Sequence, residues 1–173
     1  HFHIPLQSAS DRVLGLMRRR YQRDLYAHKV AKIKELIPHA CIAMDIIAGF
    51  PTETEEEFAD GLEWLEALPI SYLHVFTYSR RPNTIAAEMV GQIPSPVKKD
   101  RTNRLLALSE AKKHIFYNSH IGETRPVLLE SESKNNWMFG FTDNYIKVRI
   151  PFDEGKINAI ENIVLTEENL ELS

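Results

Sequence analysis

A single cysteine, Cys41, is all the thiol chemistry in this sequence of 173 residues. One cysteine excludes a disulfide scaffold, a CxxC redox pair and an iron–sulfur cluster ligated by this chain alone. No run of about 18 apolar residues exists, so no segment reads as a transmembrane helix. No secretory signal, internal repeat or low-complexity tract is visible. Charge of one sign is also scarce. The net charge of −3 excludes a uniformly basic nucleic-acid coat but leaves room for a local basic patch. What remains is globular composition, 43% hydrophobic and 26% charged. The chain starts at His1, inside a strand-like stretch, as a piece cut from a longer protein would.

The first 121 residues read as an α/β chain with a parallel sheet. Residues 1–8 alternate, with Phe2, Ile4 and Leu6 on one face and His1, His3 and Gln7 on the other. Ser10 or Asp11 caps a helix bearing Val13, Leu14 and Met17. A second helix fits 23–37, with Leu25, Val30, Ile33 and Leu36 as its apolar stripe. Residues 40–48 are a nearly continuous apolar run, as in a strand buried on both faces. Gly49-Phe50-Pro51 ends it, and Thr52 precedes an acidic helix over 53–66 with Phe58, Leu62 and Leu65 inward. Residues 71–78 are a third strand, 84–89 a short helical piece, and 97–120 a long helix after Pro94 and Pro96. Strand–helix alternation of this kind builds a parallel sheet.

From Gly122 the character changes. Short strands at 124–131, 136–141, 144–150 and 156–165, separated by turn residues, read as a small β-barrel. Charge shifts too: residues 1–121 carry net +2 and residues 122–173 net −5. The expected domains are therefore 1–121 and 122–173.

Several residues stand out chemically. His1, His3 and Gln7 give the opening strand a polar face, either a hydrogen-bonded rim or a ligand surface. The histidines have no carboxylate at matching spacing, so the sequence names no metal site. Asp45 sits inside the apolar run and needs a partner, because burying a lone carboxylate costs several kcal/mol. Gly49 lies at the carboxyl end of its strand, the ligand-facing end in α/β folds. Arg12, Arg18, Arg19, Arg20 and Arg23 form one basic run, and 98–113 a second; each is a solvated helix face or a phosphate contact. Arg19 can fork onto a small carboxylate. Tyr78, Ser79 and Arg81 put hydroxyls and a guanidinium in the loop after the third strand. Cys41 reads as a small buried hydrophobe, not a nucleophile.

Four segments, HIPLQSASDRVLGLMRRRY, DIIAGFPTETEEEF, LHVFTYSRRPNTIAAEM and VKKDRTNRLLALSE, resemble in order and spacing the radical S-adenosylmethionine methylthiotransferases. HIPLQS and LHVFTYS resemble most the subfamily acting on N6-threonylcarbamoyladenosine in tRNA. Siblings act on isopentenyladenosine in tRNA or on ribosomal protein S12, and a non-catalytic RNA-binding module is the remaining alternative. Residues 140–148, GFTDNYIKV, resemble the core of a TRAM domain, an RNA-binding β-barrel. The resemblance implies the last part of a radical SAM partial barrel followed by a TRAM domain. It implies S-adenosylmethionine and two [4Fe–4S] clusters as cofactors and a tRNA anticodon stem-loop as partner, in the cytoplasm and off the membrane. It further implies a 5′-deoxyadenosyl radical that abstracts hydrogen from C2 of the adenine in the intact enzyme. The six cluster cysteines of the family are absent, so a C-terminal fragment, inactive alone, is expected.

By matched position, the resemblance puts Gln7 and Ser8 near the cofactor's ribose and methionine, and Arg19 on its carboxylate. Asp45, Gly49 and Phe50 fall near its adenine, and Tyr78, Ser79 and Arg81 at the substrate opening. Trp137, Tyr145, Lys147 and Arg149 are the expected RNA contacts, because the net charge of their domain does not favour RNA. The family usually has Gly where Ala9 and Thr52 stand, and Pro-Gly where Pro82-Asn83 stands. Asn83 tolerates positive φ well. An incomplete barrel also leaves open sheet edges, so self-association is expected.

Overall fold

Two sheets, one parallel and one antiparallel, carry the chain in the computed structural model, which describes residues 1–172. The chain divides into two units, Phe2–Lys112 and the remainder from Lys113 together with His1.

In the first unit the parallel order is β1 (Phe2–His3), β2 (Ile42–Ala48), β3 (Tyr72–Thr77), with β2 in the middle. β1 is much shorter than its alternating sequence predicts. Phe2, Ile4 and Leu6 donate to the Cys41, Ala43 and Asp45 carbonyls, so Pro5 takes no part in the ladder, and it is Gln7, with a left-handed backbone at φ 80°, that breaks it. The N–H groups of Leu6 and Gln7 then converge on one acceptor, the Asp45 carbonyl oxygen, at 3.2 and 2.8 Å. Pairing resumes only as a bridge between Gln7 and Ile46.

After the short helix α1 (Asp11–Leu16), helices α2 (Arg23–Leu36) and α3 (Glu55–Ala67) supply the layer over the core face, joined by Leu105. Leu6, Ile42, Met44, Ile46, Leu73 and Val30 share that core with Phe58 and Leu65. In α2 the inward stripe is Tyr26, Val30 and Ile33, not Leu25 and Leu36, which are 49% and 68% exposed. Tyr26 wins because its ring fills the core while its hydroxyl donates to the Ile4 carbonyl at 2.7 Å. α3 starts two residues later than the sequence predicts. Thr54 is the cap, in a reciprocal capping box with Glu57. Thr52 holds φ 71° in the turn before it.

Helix α4 (Ile85–Glu88) is short, and α5 (Ser95–Asn118) is the long helix, begun two residues early. Much of the second basic run is used inside the unit. Arg101, 3% exposed, binds Glu53 and Glu55, and Arg104 also takes Glu55. Lys112 donates to the carbonyls of Glu66 and Leu68 at the end of α3, satisfying groups the helix leaves free.

In the second unit β4 (Thr124–Lys134), β5 (Trp137–Thr142), β6 (Lys147–Pro151) and β7 (Ile160–Val164) form an antiparallel sheet in the order β6-β5-β4-β7, a curled half-barrel. Val127, Leu129, Met138, Ile146, Val148 and Leu165 are fully buried in it. A side chain at Gly140 would meet the Leu128 carbonyl and the Val127 side chain, so the sheet closes tightly there.

Candidate functional site

Parallel strands end at one edge, so Gln7, Gly49-Phe50 and Tyr78-Ser79 come from three strand ends to a common rim. Two clefts open there. One, of about 320 Å³, is lined by Gln7, Met17, Arg19, Phe50 and Tyr78 among others. The second, of about 520 Å³, is lined by Gln7, Asp45, Tyr78, Ser79 and Arg81 among others. Gln7 and Tyr78 line both. The left-handed backbone that ends β1 at Gln7 lies at this rim.

Tyr78 is the least satisfied group in the site. Its hydroxyl is buried and has no hydrogen-bond partner among the described residues. Phe50 meets the ring edge-on with centroids 5.5 Å apart, and Lys98 Nζ lies 5.7 Å from the ring centre. An orphaned buried hydroxyl costs about 1–3 kcal/mol, which a bound polar ligand would recover. Arg19 is exposed at the cleft and has no carboxylate partner among the described residues. A tight reversal at Arg18, φ 58°, brings it there, with the Arg19 N–H on the Leu14 carbonyl at 2.9 Å. Arg12, by contrast, is taken: it forks onto Glu57 and reaches the Thr52 carbonyl.

Ser8 and Gly49, also expected near the cofactor, line neither cleft. Ser8 is 1% exposed, and its Oγ accepts the Ser10 N–H at 3.2 Å, an internal turn contact. Gly49, at φ 74°, gives its N–H to buried Glu53 at 3.1 Å. Burial raises the Glu53 carboxyl above its ordinary value, and the Arg101 charge pulls it back. Cys41 is fully buried, and burial pushes its thiol up, away from thiolate. Asp45 has the partner its position demanded: His3 Nε2 lies 2.6 Å from its Oδ1.

The second unit gathers Trp137, Lys147 and Arg149 on one face of β5 and β6. The Arg149 guanidinium lies 5.2 Å from the Trp137 ring centre, and Lys147 Nζ 4.8 Å from that of Phe139. Tyr145, in a left-handed turn at φ 68°, stacks on Phe141 with centroids 4.8 Å apart. Phe139 and Phe141 were missed by sequence reasoning. The signal was there, since Trp137, Phe139 and Phe141 alternate with buried Met138, Gly140 and Thr142. Stacked aromatics interleaved with cations can hold unstacked bases.

The arrangement defines a class: an α/β unit with a cleft at the carboxyl edge of a parallel sheet, joined in sequence to a β-barrel-like unit. The Escherichia coli radical SAM enzyme coproporphyrinogen III oxidase shares this fold, with a TM-score of 0.54 and 16% identity, over 95% of this chain and 45% of that one. The particular family follows from sequence. The threonylcarbamoyladenosine tRNA methylthiotransferase of Bacillus subtilis is 38% identical over 167 residues, 94% of this chain and 37% of that protein. The tRNA-2-methylthio-N(6)-dimethylallyladenosine synthase of the same organism is 41% identical over 169 residues, 95% of this chain and 32% of that protein. That of Acetivibrio thermocellus is 43% identical over 136 residues, 79% of this chain and 28% of that protein. No protein-family profile matches the chain. The chain belongs to the radical SAM methylthiotransferase family, and it spans about a third of the length of the relatives it matches.

Proposed function

We propose that this chain supplies the substrate-side wall and the RNA-binding part of an enzyme that methylthiolates C2 of N6-threonylcarbamoyladenosine beside the tRNA anticodon. The observation that carries the reading is the meeting of Gln7, Arg19, Phe50 and Tyr78 around one cleft. The HIPLQS and LHVFTYS segments point to the threonylcarbamoyl substrate. The dimethylallyladenosine substrate is the second reading, because relatives of that type reach 41% and 43% identity.

The cleft residues fit S-adenosylmethionine. Arg19 offers a fork for its carboxylate, Phe50 an apolar wall, and the orphaned Tyr78 hydroxyl an unpaired polar group. When bound, that cofactor supplies the radical chemistry at C2 and the methyl group. The residues do not fit an iron–sulfur cluster, since the one cysteine is buried with a raised pKa. The fragment reading places the cluster ligands in the part of the relatives this chain does not span, so the chain alone is inactive. In this reading residues 122–173, within the second unit, are a TRAM domain. Trp137, Tyr145, Lys147 and Arg149 meet bases and phosphates of the anticodon stem-loop there, despite a net −5. The edges of the three-stranded sheet, β1 and β3, pair with another copy when the chain is isolated. Light scattering that reports only monomer at high concentration contradicts that last point.

The test is deletion of the gene followed by mass spectrometry of nucleosides from total tRNA. Loss of the methylthio form of threonylcarbamoyladenosine, with a rise in its precursor, is expected. Loss of the methylthio isopentenyl or dimethylallyl nucleoside instead selects the second reading. No change in either refutes both adenosine substrates and directs attention to ribosomal protein S12.

A further inference from the structure

On the face of the parallel sheet turned away from the core, three strands bring one side chain each to the same spot. Asp45 of β2 is in register with His74 of β3, and His3 of β1 sits diagonally, paired with Ala43. His3 Nε2 is 2.6 Å from Asp45 Oδ1, and the His3 and His74 ring centres are 5.0 Å apart. One ligand atom from each of the three lies within 4.8 Å of the others. The carboxylate that β1 itself lacks stands on the neighbouring strand, which is why linear spacing could not reveal the group.

We propose that His3, Asp45 and His74 form a binding site for a divalent cation of the zinc class. Two imidazoles and a carboxylate are a donor set that zinc, cobalt and iron(II) accept. Tetrahedral coordination at about 2.0–2.1 Å places ligand atoms about 3.3 Å apart. The widest pair here must therefore close by roughly 1.5 Å. Exposed histidines reach that by side-chain rotation, since His3 is 46% exposed and His74 is exposed beside the Tyr72 ring, 5.2 Å away centre to centre. Asp45, 19% exposed, is the fixed member. Three protein ligands leave a coordination position open, as in catalytic rather than structural sites. Asp45 also lines the 520 Å³ cleft, so a cation held by it stands at the cleft wall. The proposal goes beyond the methylthiotransferase reading, because its test needs neither S-adenosylmethionine nor tRNA.

The experiment titrates Zn²⁺ into the 173-residue chain by calorimetry and repeats the titration with Co²⁺, read by its visible absorption. One saturable site is expected, with the intense bands of low-coordinate Co²⁺. His3→Ala and His74→Ala should each weaken binding by about tenfold or more. His28→Ala, an exposed histidine on α2, should leave it unchanged. A readout free of variants is the paramagnetic shift Co²⁺ imposes on the wild-type histidine resonances, with His3 and His74 moving most. No saturable uptake overturns the site and leaves a hydrogen-bonded histidine–aspartate rim. Binding that survives both alanine variants, or shifts centred on other histidines, overturns it equally.

Discussion

Glu57 should make the first unit sensitive to acid. Its carboxylate accepts Nε and Nη2 of Arg12 at 2.7 and 2.6 Å, Ser10 Oγ at 3.0 Å and the Thr54 N–H at 2.9 Å. The Arg12 hydrogen bonds, helped by the Thr54 N–H and Ser10, hold it at about 2 against an ordinary 4.5, although burial opposes them. A depressed folded-state value means the unfolded chain binds its proton first. The stabilisation is therefore complete above pH 4.5 and is lost as pH falls toward 2. At about 1.36 kcal/mol per pKa unit the shift sets a ceiling of about 3 kcal/mol. Arg12 is about half exposed, and solvent screening reduces this to about 1.5–2 kcal/mol. The assay is urea unfolding of wild type and Glu57→Gln at a series of pH values. The variant should lose that amount at pH 7 and converge with wild type near pH 2. Subtracting the two profiles removes the other carboxylates, such as Glu55 and Glu123, whose values are also lowered. Parallel profiles, with a gap that does not close in acid, would refute the reasoning.

Arg101→Ala should cost about 3–5 kcal/mol, because it strands the buried Glu53 carboxylate. Adding Glu53→Gln should restore part of that loss in denaturant melts, and no restoration would show that Arg101 acts by packing alone. Thr52 is a β-branched residue at φ 71°. Thr52→Gly should therefore raise stability by about 0.5 kcal/mol, and Thr52→Pro should lower it by about 3 kcal/mol or more. A glycine variant less stable by about 1 kcal/mol would count against left-handed strain there. Tyr78→Phe removes an orphaned hydroxyl and should leave stability equal or up to about 1 kcal/mol higher. The same change should weaken S-adenosylmethionine binding in the intact enzyme, and unchanged affinity would remove Tyr78 from the cofactor cleft.

Local pattern by itself determined the element types. The apolar run 40–48 became the central strand, the acidic segment after Pro51 became α3, and alternation after Gly122 became an antiparallel sheet. These features depend on period and composition, which a sequence states directly. It also carried the family, because the four motif segments depend on order rather than on contacts. Left-handed φ at Asn83 was legible, because asparagine tolerates that region, whereas the left-handed φ at Thr52 was not.

Tertiary structure alone decided what each element touches. Leu25 and Tyr26 are adjacent, and only packing against the sheet selects Tyr26, whose hydroxyl finds a carbonyl. The basic residues look alike in sequence, yet Arg12 and Arg101 are consumed by Glu57 and Glu53 while Arg19 is left at the cleft. Asp45 announced that it needed a partner, but His3 lies 42 residues away. Period reports which face a side chain takes; register between strands reports its neighbours. Register depends on long-range pairing that no local segment of this chain encodes.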